Sequence, residues 1–267
     1  MENTSDKFGE SAGLVDMDEF PSWIIYEDAN YLALNKPGWL VCHPSKNGPL
    51  SSLVGAARVY TGLEVMHPIS RLDRETSGVV VLAKNYESAS KAQKAVGDKG
   101  AVKKTYLAFL EGRVDATITV SQPLADVKIA LVAIKTCCAI QKPSAKSAQT
   151  VFAPLSYSTK GGRDFTLCEV SLLTGRKHQI RAHALWLGHS VAGDKIYGPD
   201  ETLYLDFVEK GFTPEMAEIL PIKRQALHAA VMDFGDRIPE LKLRAPLTAD
   251  LREFAQTYGI SIPEKYL

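Results

Sequence analysis

Cysteine is scarce in this chain. Four cysteines occur among its 267 residues, Cys42, Cys137, Cys138 and Cys168, and no two of them form a Cys-x-x-Cys pair. Their spacing provides neither a disulfide framework nor a sulfur-rich metal site. The sequence therefore predicts reduced thiols and a cytoplasmic location.

Long apolar stretches are also missing. No run approaches the roughly 20 apolar residues that a membrane span needs. The first residues, MENTSDKFGESAG, contain neither a basic start nor an apolar segment, so no secretory signal is predicted. We expect a soluble protein that has no membrane partner.

The sequence lacks the usual motifs for bound nucleotides and metals. It contains neither G-x-G-x-x-G nor G-x-x-x-x-G-K-[ST], the fingerprints of dinucleotide and P-loop sites. His178 and His183 are five residues apart, whereas two zinc ligands on one helix are four apart. No cysteine–histidine cluster compensates. We predict no cofactor and no metal site.

The net charge of the chain is zero, but the charges are unevenly distributed. Of 31 acidic and 31 basic residues, residues 1–30 hold eight acids and one base, which leaves a net charge of +7 from residue 31 onward. A basic body is compatible with a nucleic-acid partner. We predict an acidic flexible leader over residues 1–20 and one catalytic domain over residues 21–267.

Strand patterns outnumber helical patterns along the chain. Two short strands are predicted around the turn Glu27–Asn30, and further strands at 79–83, 101–114, 116–134, 148–157, 164–173 and 226–235. Helices are predicted at 50–63, 86–100, 175–188 and 247–259, with another helix starting at Thr213-Pro214 in an insertion at 199–222. This order predicts an α+β fold with a central mixed, largely antiparallel sheet and flanking helices.

The segment PISRLDRETSGVVVLAKN, residues 68–85, places a carboxylate between two guanidinium groups. Asp73 lies between Arg71 and Arg74, shortly before the apolar run Val79–Ala83. One interpretation is architectural, because aspartate and serine often cap helices and turns. The other is a carboxylate that neighbouring arginines keep ionised for chemistry.

Two rival functions remain open at this point. Asp73 and Glu75 could form the acid and base of a glycosidase, although such pairs usually come from separate segments. Alternatively, the chain could be a catalytically silent RNA-binding or chaperone module.

Five segments in order resemble the RluA-type pseudouridine synthases. The octet RLDRETSG is similar to the family's His-Arg-Leu-Asp-x-x-Thr-Ser-Gly signature. The other four are LNKPGWLVCHP at 34–44, KTYLAFLEG at 104–112, LLTGRKHQIRAHALWLGHSVAGDKIYG at 172–198 and RQALHA at 224–229. Together they extend over most of the chain. The resemblance implies the pseudouridine synthase catalytic fold and an isomerase that converts uridine in rRNA or tRNA to pseudouridine without any cofactor.

The resemblance also implies the catalytic residues. Asp73 is implied as the carboxylate beside C1′ of the uridine, and Arg181 as the guanidinium that keeps it ionised. Tyr106 is implied as the aromatic ring that supports the base while it turns, and its phenol could take the C5 proton. Because a duplex hides the reacting atoms, the target uridine must be unpaired or flipped out.

A second group of residues is implied in substrate binding. Arg71 is expected to contact the RNA beside the flipped nucleotide, and Leu227 and Val79 to form an apolar wall around the base. His178 and Gln179, next to Arg181, complete the predicted site. RNA is the predicted partner, DNA is not expected, and a monomer is predicted.

The sequence departs from the family pattern at one point next to the site. Ser70 stands where the family usually has histidine. Whatever that histidine does in relatives is therefore in question here. We expect the insertion at 199–222 to influence which RNA is recognised.

Overall fold

The structure, a computed structural model, describes residues 13–43, 47–127, 131–139 and 142–267. Its strands are β1 Ile24–Glu27, β2 Tyr31–Lys36, β3 His67–Pro68, β4 Ser77–Ala83, β5 Lys103–Glu111, β6 Ile118–Val120, β7 Leu124–Asp126, β8 Thr136–Cys138, β9 Thr150–Lys160, β10 Arg163–Leu172, β11 Leu227–Asp233 and β12 Lys242–Arg244. Its α-helices are α1 Leu53–Thr61, α2 Tyr86–Gly97, α3 Gln179–Trp186, α4 Thr202–Lys210, α5 Pro214–Ile219 and α6 Ala249–Tyr258.

These elements form two compact units. The first contains the described residues up to Lys104 together with Ala229–Thr248, and the second contains Thr105–His228 together with Ala249–Leu267. Each unit combines strands and helices. The predicted α+β class is confirmed.

The first unit is built around β4, whose seven residues are all buried. Strand β4 pairs antiparallel with β2, and β2 pairs antiparallel with β1. Its alternate side chains enter two separate apolar cores: Val79 and Val81 join the core under α2, whereas Val80 and Leu82 join the core under α1. Burial on both faces explains why this strand is a continuous apolar run rather than an alternating one.

The second unit contains the strand order β5-β10-β9-β6, with antiparallel pairing throughout. Helix α3 covers one face of it, where Ile180 and Ala184 pack with Cys168 and Val170 of β10. Helix α6 packs through aromatic rings. The Phe254 ring lies 5.3 Å from Phe109 and 5.2 Å from Phe165, in edge-to-face geometry.

The packed part of the first unit begins earlier than the sequence predicted. Val15 and Phe20 are buried in the core under α1, and the Val15 amide donates a hydrogen bond to the Leu50 carbonyl at 2.8 Å. The loose leader predicted for residues 1–20 is thus too long. Its first twelve residues lie outside the described part of the chain.

Several predicted boundaries needed correction. Helix α3 begins at Gln179 rather than near residue 175, because His178 has left-handed backbone geometry. Helix α2 ends at Gly97, three residues before the predicted stop at Gly100. The strand predicted at 116–134 is divided into β6 and β7, and β8 was not predicted.

The insertion at 199–222 forms the helices α4 and α5. Thr213 caps α5 by accepting a hydrogen bond from the Met216 amide at 3.4 Å, as predicted from Thr213-Pro214. The segment contains six acidic residues and one lysine. Because acidic side chains repel phosphate, direct contacts with an RNA backbone are unfavourable here.

None of the helices in the described residues has the length and apolarity of a membrane span.

Candidate active site

Asp73 lies in a tight turn that leads into β4. The amide of Thr76 donates to the Asp73 carbonyl at 3.1 Å and closes the turn. Ser77 and Gly78 already belong to β4, so the turn precedes them.

A buried lysine holds the residue that follows Asp73. Lys36 has no solvent exposure, and its ammonium group donates to the carbonyls of Pro37 at 2.8 Å, Leu40 at 2.7 Å and Arg74 at 2.9 Å. A buried ammonium is tolerated only when its N–H groups are hydrogen-bonded. The charge of Lys36 therefore joins the 37–40 segment to the Asp73 turn.

A buried thiol holds the residue that precedes Asp73. Cys42 Sγ accepts from the Leu72 amide at 3.4 Å and donates to the Leu72 carbonyl at 3.5 Å. Burial raises the pKa of the Cys42 thiol, so the group keeps its proton and can donate. The backbone is thus held on both sides of Asp73.

Arg71 lies two residues before Asp73 and is exposed. Its Nη1 lies 3.4 Å from Nε2 of His43, which is also exposed. Partial loss of hydration, although the side chain remains largely exposed, together with the charge of Arg71 lowers the pKa of His43. A neutral His43 can therefore accept a hydrogen bond from Arg71 and orient its guanidinium group.

Ser70, which departs from the family pattern described above, lies three residues before Asp73. Its Oγ is buried and has no hydrogen-bond partner within the described residues. The hydroxyl therefore loses hydration without gaining a bond.

We expect Ser70→Ala to leave the free energy of unfolding unchanged or to raise it by up to about 1 kcal/mol, because it removes an unsatisfied polar group. Urea denaturation measures the change. Ser51→Ala is the matched control, since the Ser51 hydroxyl donates to the Gly48 carbonyl at 2.6 Å and its loss should cost about 1 kcal/mol. A clear destabilisation by Ser70→Ala alone would show that its hydroxyl has a partner.

In the second unit, Arg181 is buried and paired with an aspartate that the sequence analysis did not assign. Its Nε and Nη2 donate to the two carboxylate oxygens of Asp194 at 2.6 and 2.8 Å. Asp194 also accepts from the amides of Ile196 and Tyr197, both at 2.9 Å. Two of the five N–H groups of Arg181 are thus committed to a rigid, bidentate ion pair.

The environment keeps Asp194 ionised. Burial alone would raise the pKa of Asp194, but the charge and hydrogen bonds of Arg181, with the two backbone amides, hold it below its ordinary value. A lowered pKa stabilises the fold above the unfolded-state pKa of about 4, and this contribution is lost as the pH falls through the folded-state pKa.

We expect Asp194→Asn to lower the free energy of unfolding by about 3 kcal/mol at pH 7, since it leaves a buried guanidinium without its counter-ion. The difference from wild type should shrink as the pH falls below about 4. Urea denaturation at pH 7 and near pH 3 measures both effects. Asp126→Asn is the control, because the exposed Asp126–Lys177 pair should contribute less than about 1 kcal/mol. Equal effects of the two variants would contradict this expectation.

Tyr106 and Leu227 belong to one cluster. Leu227 is buried at the start of β11, and the half-buried Tyr106 of β5 packs against the same group of apolar residues. Tyr106 is opposite Val170 in the β5–β10 register. The second unit therefore brings together the predicted stacking ring and one predicted wall residue.

Two other predicted binding residues have internal roles. Val79 is 2% exposed and packs in the core under α2, so a contact with the base is not supported. Gln179 is equally buried, and both atoms of its amide are saturated. Its Oε1 accepts from Thr174 and the Arg176 amide, and its Nε2 donates to the Gln149 carbonyl and to Thr150. Gln179 therefore fixes the loop before α3 and has no capacity left for a substrate.

His178 lies at the end of that loop and is half-buried. Its Nδ1 lies 3.0 Å from the hydroxyl of Tyr197. Arg181 packs over the face of the same ring, 4.8 Å from its centre. His178 and Arg181 are thus linked through Tyr197.

The sequence model of the family described as RNA pseudouridylate synthase matches residues 30–186, more than half of the chain. The chain belongs to this family. The matched region contains Asp73, Tyr106 and Arg181.

Individual pseudouridine synthases agree with this assignment. A ribosomal large subunit pseudouridine synthase D from Vibrio vulnificus is 30% identical over 93% of this chain and 75% of its own length. An uncharacterized RNA pseudouridine synthase of Mycoplasma pneumoniae is 33% identical over 85% of this chain and 72% of its own length. The yeast mitochondrial tRNA pseudouridine(32) synthase is 35% identical over 68% of this chain but only 38% of its own length. The predicted RluA-type membership is confirmed.

Solved structures confirm the pseudouridine synthase fold. Human RNA pseudouridylate synthase domain containing 4 matches with a TM-score of 0.71 and 24% identity, over 93% of this chain and 97% of that one. Human RNA pseudouridylate synthase domain containing 1 matches with a TM-score of 0.66 and 22% identity, over 98% of this chain and 99% of that one.

Proposed function

We propose that this chain is a cytoplasmic, monomeric enzyme that converts specific uridines of rRNA or tRNA to pseudouridine. The family membership supports the reaction class. One relative is named for ribosomal RNA and another for tRNA, and these names support both RNA classes as candidate substrates. Four unpaired thiols fit a reducing compartment.

The reaction breaks the N1–C1′ bond of a uridine, turns the base and joins C5 to C1′. The hydrogen on C5 leaves as a proton. We assign Asp73 as the carboxylate that acts at the sugar. The observation that carries this assignment is the double restraint of its backbone, by Lys36 at Arg74 and by Cys42 at Leu72. A reacting group gains most from such positioning when its neighbours cannot move.

Tyr106 is proposed to support the freed base. An aromatic face holds a base by stacking while allowing rotation in its plane. Leu227, in the same apolar cluster, would contribute the wall beside it. Arg181 is proposed to keep the catalytic carboxylate ionised, and its rigid pair with Asp194 restricts the orientations that its guanidinium can adopt.

Arg71 is proposed to bind the RNA next to the target nucleotide. It is exposed, charged and two residues from Asp73. Arginine is well suited to phosphate because its planar fork donates two parallel hydrogen bonds.

Release of tritium from RNA labelled at uridine C5 tests the proposed reaction. The wild-type protein, given rRNA or tRNA transcripts, should release one tritium per pseudouridine formed. A glycosidase would instead liberate free uracil that still carries the label. A silent RNA-binding module would bind the RNA and release nothing. Mapping pseudouridines in cells with and without the gene then identifies the target.

A further inference from the structure

The partner of Arg181 lies in a tightly folded loop, residues 193–198, which we call the Asp194 loop. The Asp194 carboxylate pairs with Arg181 and closes the loop by accepting hydrogen bonds from the amides of Ile196 and Tyr197. Because two of its hydrogen bonds go to this carboxylate, the Arg181 guanidinium group can be held no more firmly than the loop itself. What holds the loop therefore also determines the orientation of Arg181.

Lys195, in the same loop, connects it to the insertion at 199–222. Lys195 is 1% exposed, and its ammonium group donates to the Lys223 carbonyl at 2.6 Å. The same ammonium group lies 4.3 Å from the centre of the Phe207 ring and 5.7 Å from that of the Phe212 ring. An aromatic face attracts a cation, more strongly where water is excluded. The side chain thus contacts the insertion and the residue that follows it.

The two aromatic rings belong to the small apolar core of the insertion. Phe207 and Phe212 pack against Leu203, Met216 and Leu220, which are all buried. This core combines residues of α4 and α5 with their flanking segments. The place of the lysine ammonium group is therefore set by the fold of the insertion.

A second link connects the insertion to the ring on which Arg181 packs. Glu201, which precedes α4, pairs with Lys135 at 2.5 Å, and the Lys135 ammonium group lies 5.8 Å from the centre of the Tyr197 ring. Arg181 lies over the same ring at 4.8 Å. The insertion is therefore linked both to the loop that carries the carboxylate partner of Arg181 and to its aromatic neighbour.

Stability alone does not explain a lysine at position 195. Burying a charge is costly, and an apolar residue of similar volume in its place is often neutral or favourable for the free energy of unfolding. A methionine would also fill the space between the two rings. The lysine adds direction, because its hydrogen bond to the Lys223 carbonyl and the two ring faces define where its ammonium group lies.

We propose that Lys195 is a positioning residue that connects the insertion to the Arg181–Asp194 ion pair, so that the insertion fixes the orientation of the catalytic guanidinium group. The proposal rests on the proposed function, in which Arg181 keeps the catalytic carboxylate ionised. It assigns the insertion a role in the chemical step rather than in contact with RNA. The six acidic side chains of the insertion agree with this role.

NMR of the Arg181 side chain tests the connection without any activity measurement. The Arg181 Nε–H donates to Asp194 at 2.6 Å, so its exchange with water should be slow in the wild type. Lys195→Met should accelerate this exchange about tenfold or more, whereas the β10 amides, which report global unfolding, should be unaffected. Unchanged exchange at Arg181, or equal acceleration in β10, would overturn the proposal.

Lys265→Met is the matched control variant. Lys265 also combines an ion pair with an aromatic contact, since its ammonium group lies 2.9 Å from a Glu169 carboxylate oxygen and 4.7 Å from the centre of the Tyr266 ring. It belongs to the C-terminal residues and not to the Asp194 loop. Its substitution should leave the exchange at Arg181 and kcat within about twofold of wild type.

Steady-state kinetics of tritium release distinguish positioning from RNA contact. Lys195→Met should reduce kcat about tenfold or more and leave KM within about threefold, because a displaced guanidinium group affects the reacting groups and not RNA binding. The slope of log K against log salt should not change, since a buried lysine neutralises no phosphate. An unchanged kcat, with a raised KM and a slope smaller by about one, would assign Lys195 to RNA contact and overturn the proposal.

The pH dependence of the reaction distinguishes positioning from a purely structural role. A neighbouring guanidinium group lowers the pKa of a carboxyl group, so its displacement raises that pKa. The acidic limb of the kcat/KM profile should therefore move to higher pH in Lys195→Met. An acidic limb at the wild-type position would contradict the proposal.

Two substitutions of Phe207 test the aromatic contact. Phe207→Tyr keeps the aromatic face and should retain most of the activity, whereas Phe207→Leu should reproduce part of the loss in kcat seen in Lys195→Met. Equal activity of the two variants would mean that the ring does not hold the lysine. If the wild type shows no activity on any RNA, the proposed function fails, while the NMR result still decides whether the insertion holds Arg181.

Discussion

Replacing Asp73 with asparagine is expected to reduce tritium release from C5-labelled uridine to background. Asparagine preserves the shape of the side chain but can act neither as a nucleophile nor as a base at the sugar. The bonds from Lys36 and Cys42 go to the backbone of Arg74 and Leu72, so they do not depend on the carboxylate. RNA affinity should therefore stay within about tenfold of wild type, or 1.4 kcal/mol.

Glu75→Gln is the matched control for this variant. Glu75 lies two residues from Asp73 in the same turn and is half-buried like it. On the proposed mechanism Glu75 has no chemical role, so the Glu75→Gln variant should retain activity. If Glu75→Gln is as inactive as Asp73→Asn, a mechanism with paired carboxylates gains support. Filter binding at one salt concentration separates loss of chemistry from loss of binding.

Gly78→Ala is expected to produce the largest loss of stability among the substitutions considered, more than about 4 kcal/mol. Gly78 has φ of 112°, a conformation that residues with a side chain rarely adopt. A Cβ at this position would lie 2.2 Å from the carbonyl oxygen and 2.6 Å from the amide nitrogen of Ala229. Both of these are backbone atoms, so β4 or β11 would have to move. Urea denaturation or the yield of folded protein measures the loss.

Gly62→Ala separates the backbone strain from the steric clash. Gly62 also has a positive φ, 70°, but a Cβ there meets no described atom within 4 Å. Gly62→Ala should therefore lower the free energy of unfolding by about 1 kcal/mol. Similar losses for both glycines would mean that the strands accommodate the methyl group and that only the dihedral angle matters.

The parts of this protein that sequence could predict are those determined locally. The apolar run Val79–Ala83 specifies a buried strand, and Thr213-Pro214 specifies a helix start, because neighbouring residues alone decide each of these features. The octet around Asp73 and the Tyr106 strand were recognisable because their spacing matches a known family.

The remaining features depend on residues that are distant in sequence or on unusual backbone geometry. Asp194 was visible in a Gly-Asp pair, but its role as the partner of Arg181 arises only when the loop after α3 folds back. Gln179 was expected to bind substrate because it lies in the segment 172–198 that resembles the family. Its amide instead bonds to Gln149 and Thr150, about 30 residues away in sequence. The start of α3 was missed because a positive φ at a histidine leaves no pattern in the sequence.

The buried ammonium of Lys36 has a consequence for the order in which this region loses structure. One side chain holds the carbonyls of Pro37 and Leu40 as well as that of Arg74, so opening either the 37–40 segment or the Asp73 turn breaks a hydrogen bond of the same buried ammonium group. Local opening in proteins takes place in such cooperative groups. The amide proton of Thr76, which is hydrogen-bonded in the Asp73 turn, should therefore exchange with deuterium faster in Lys36→Met than in the wild type.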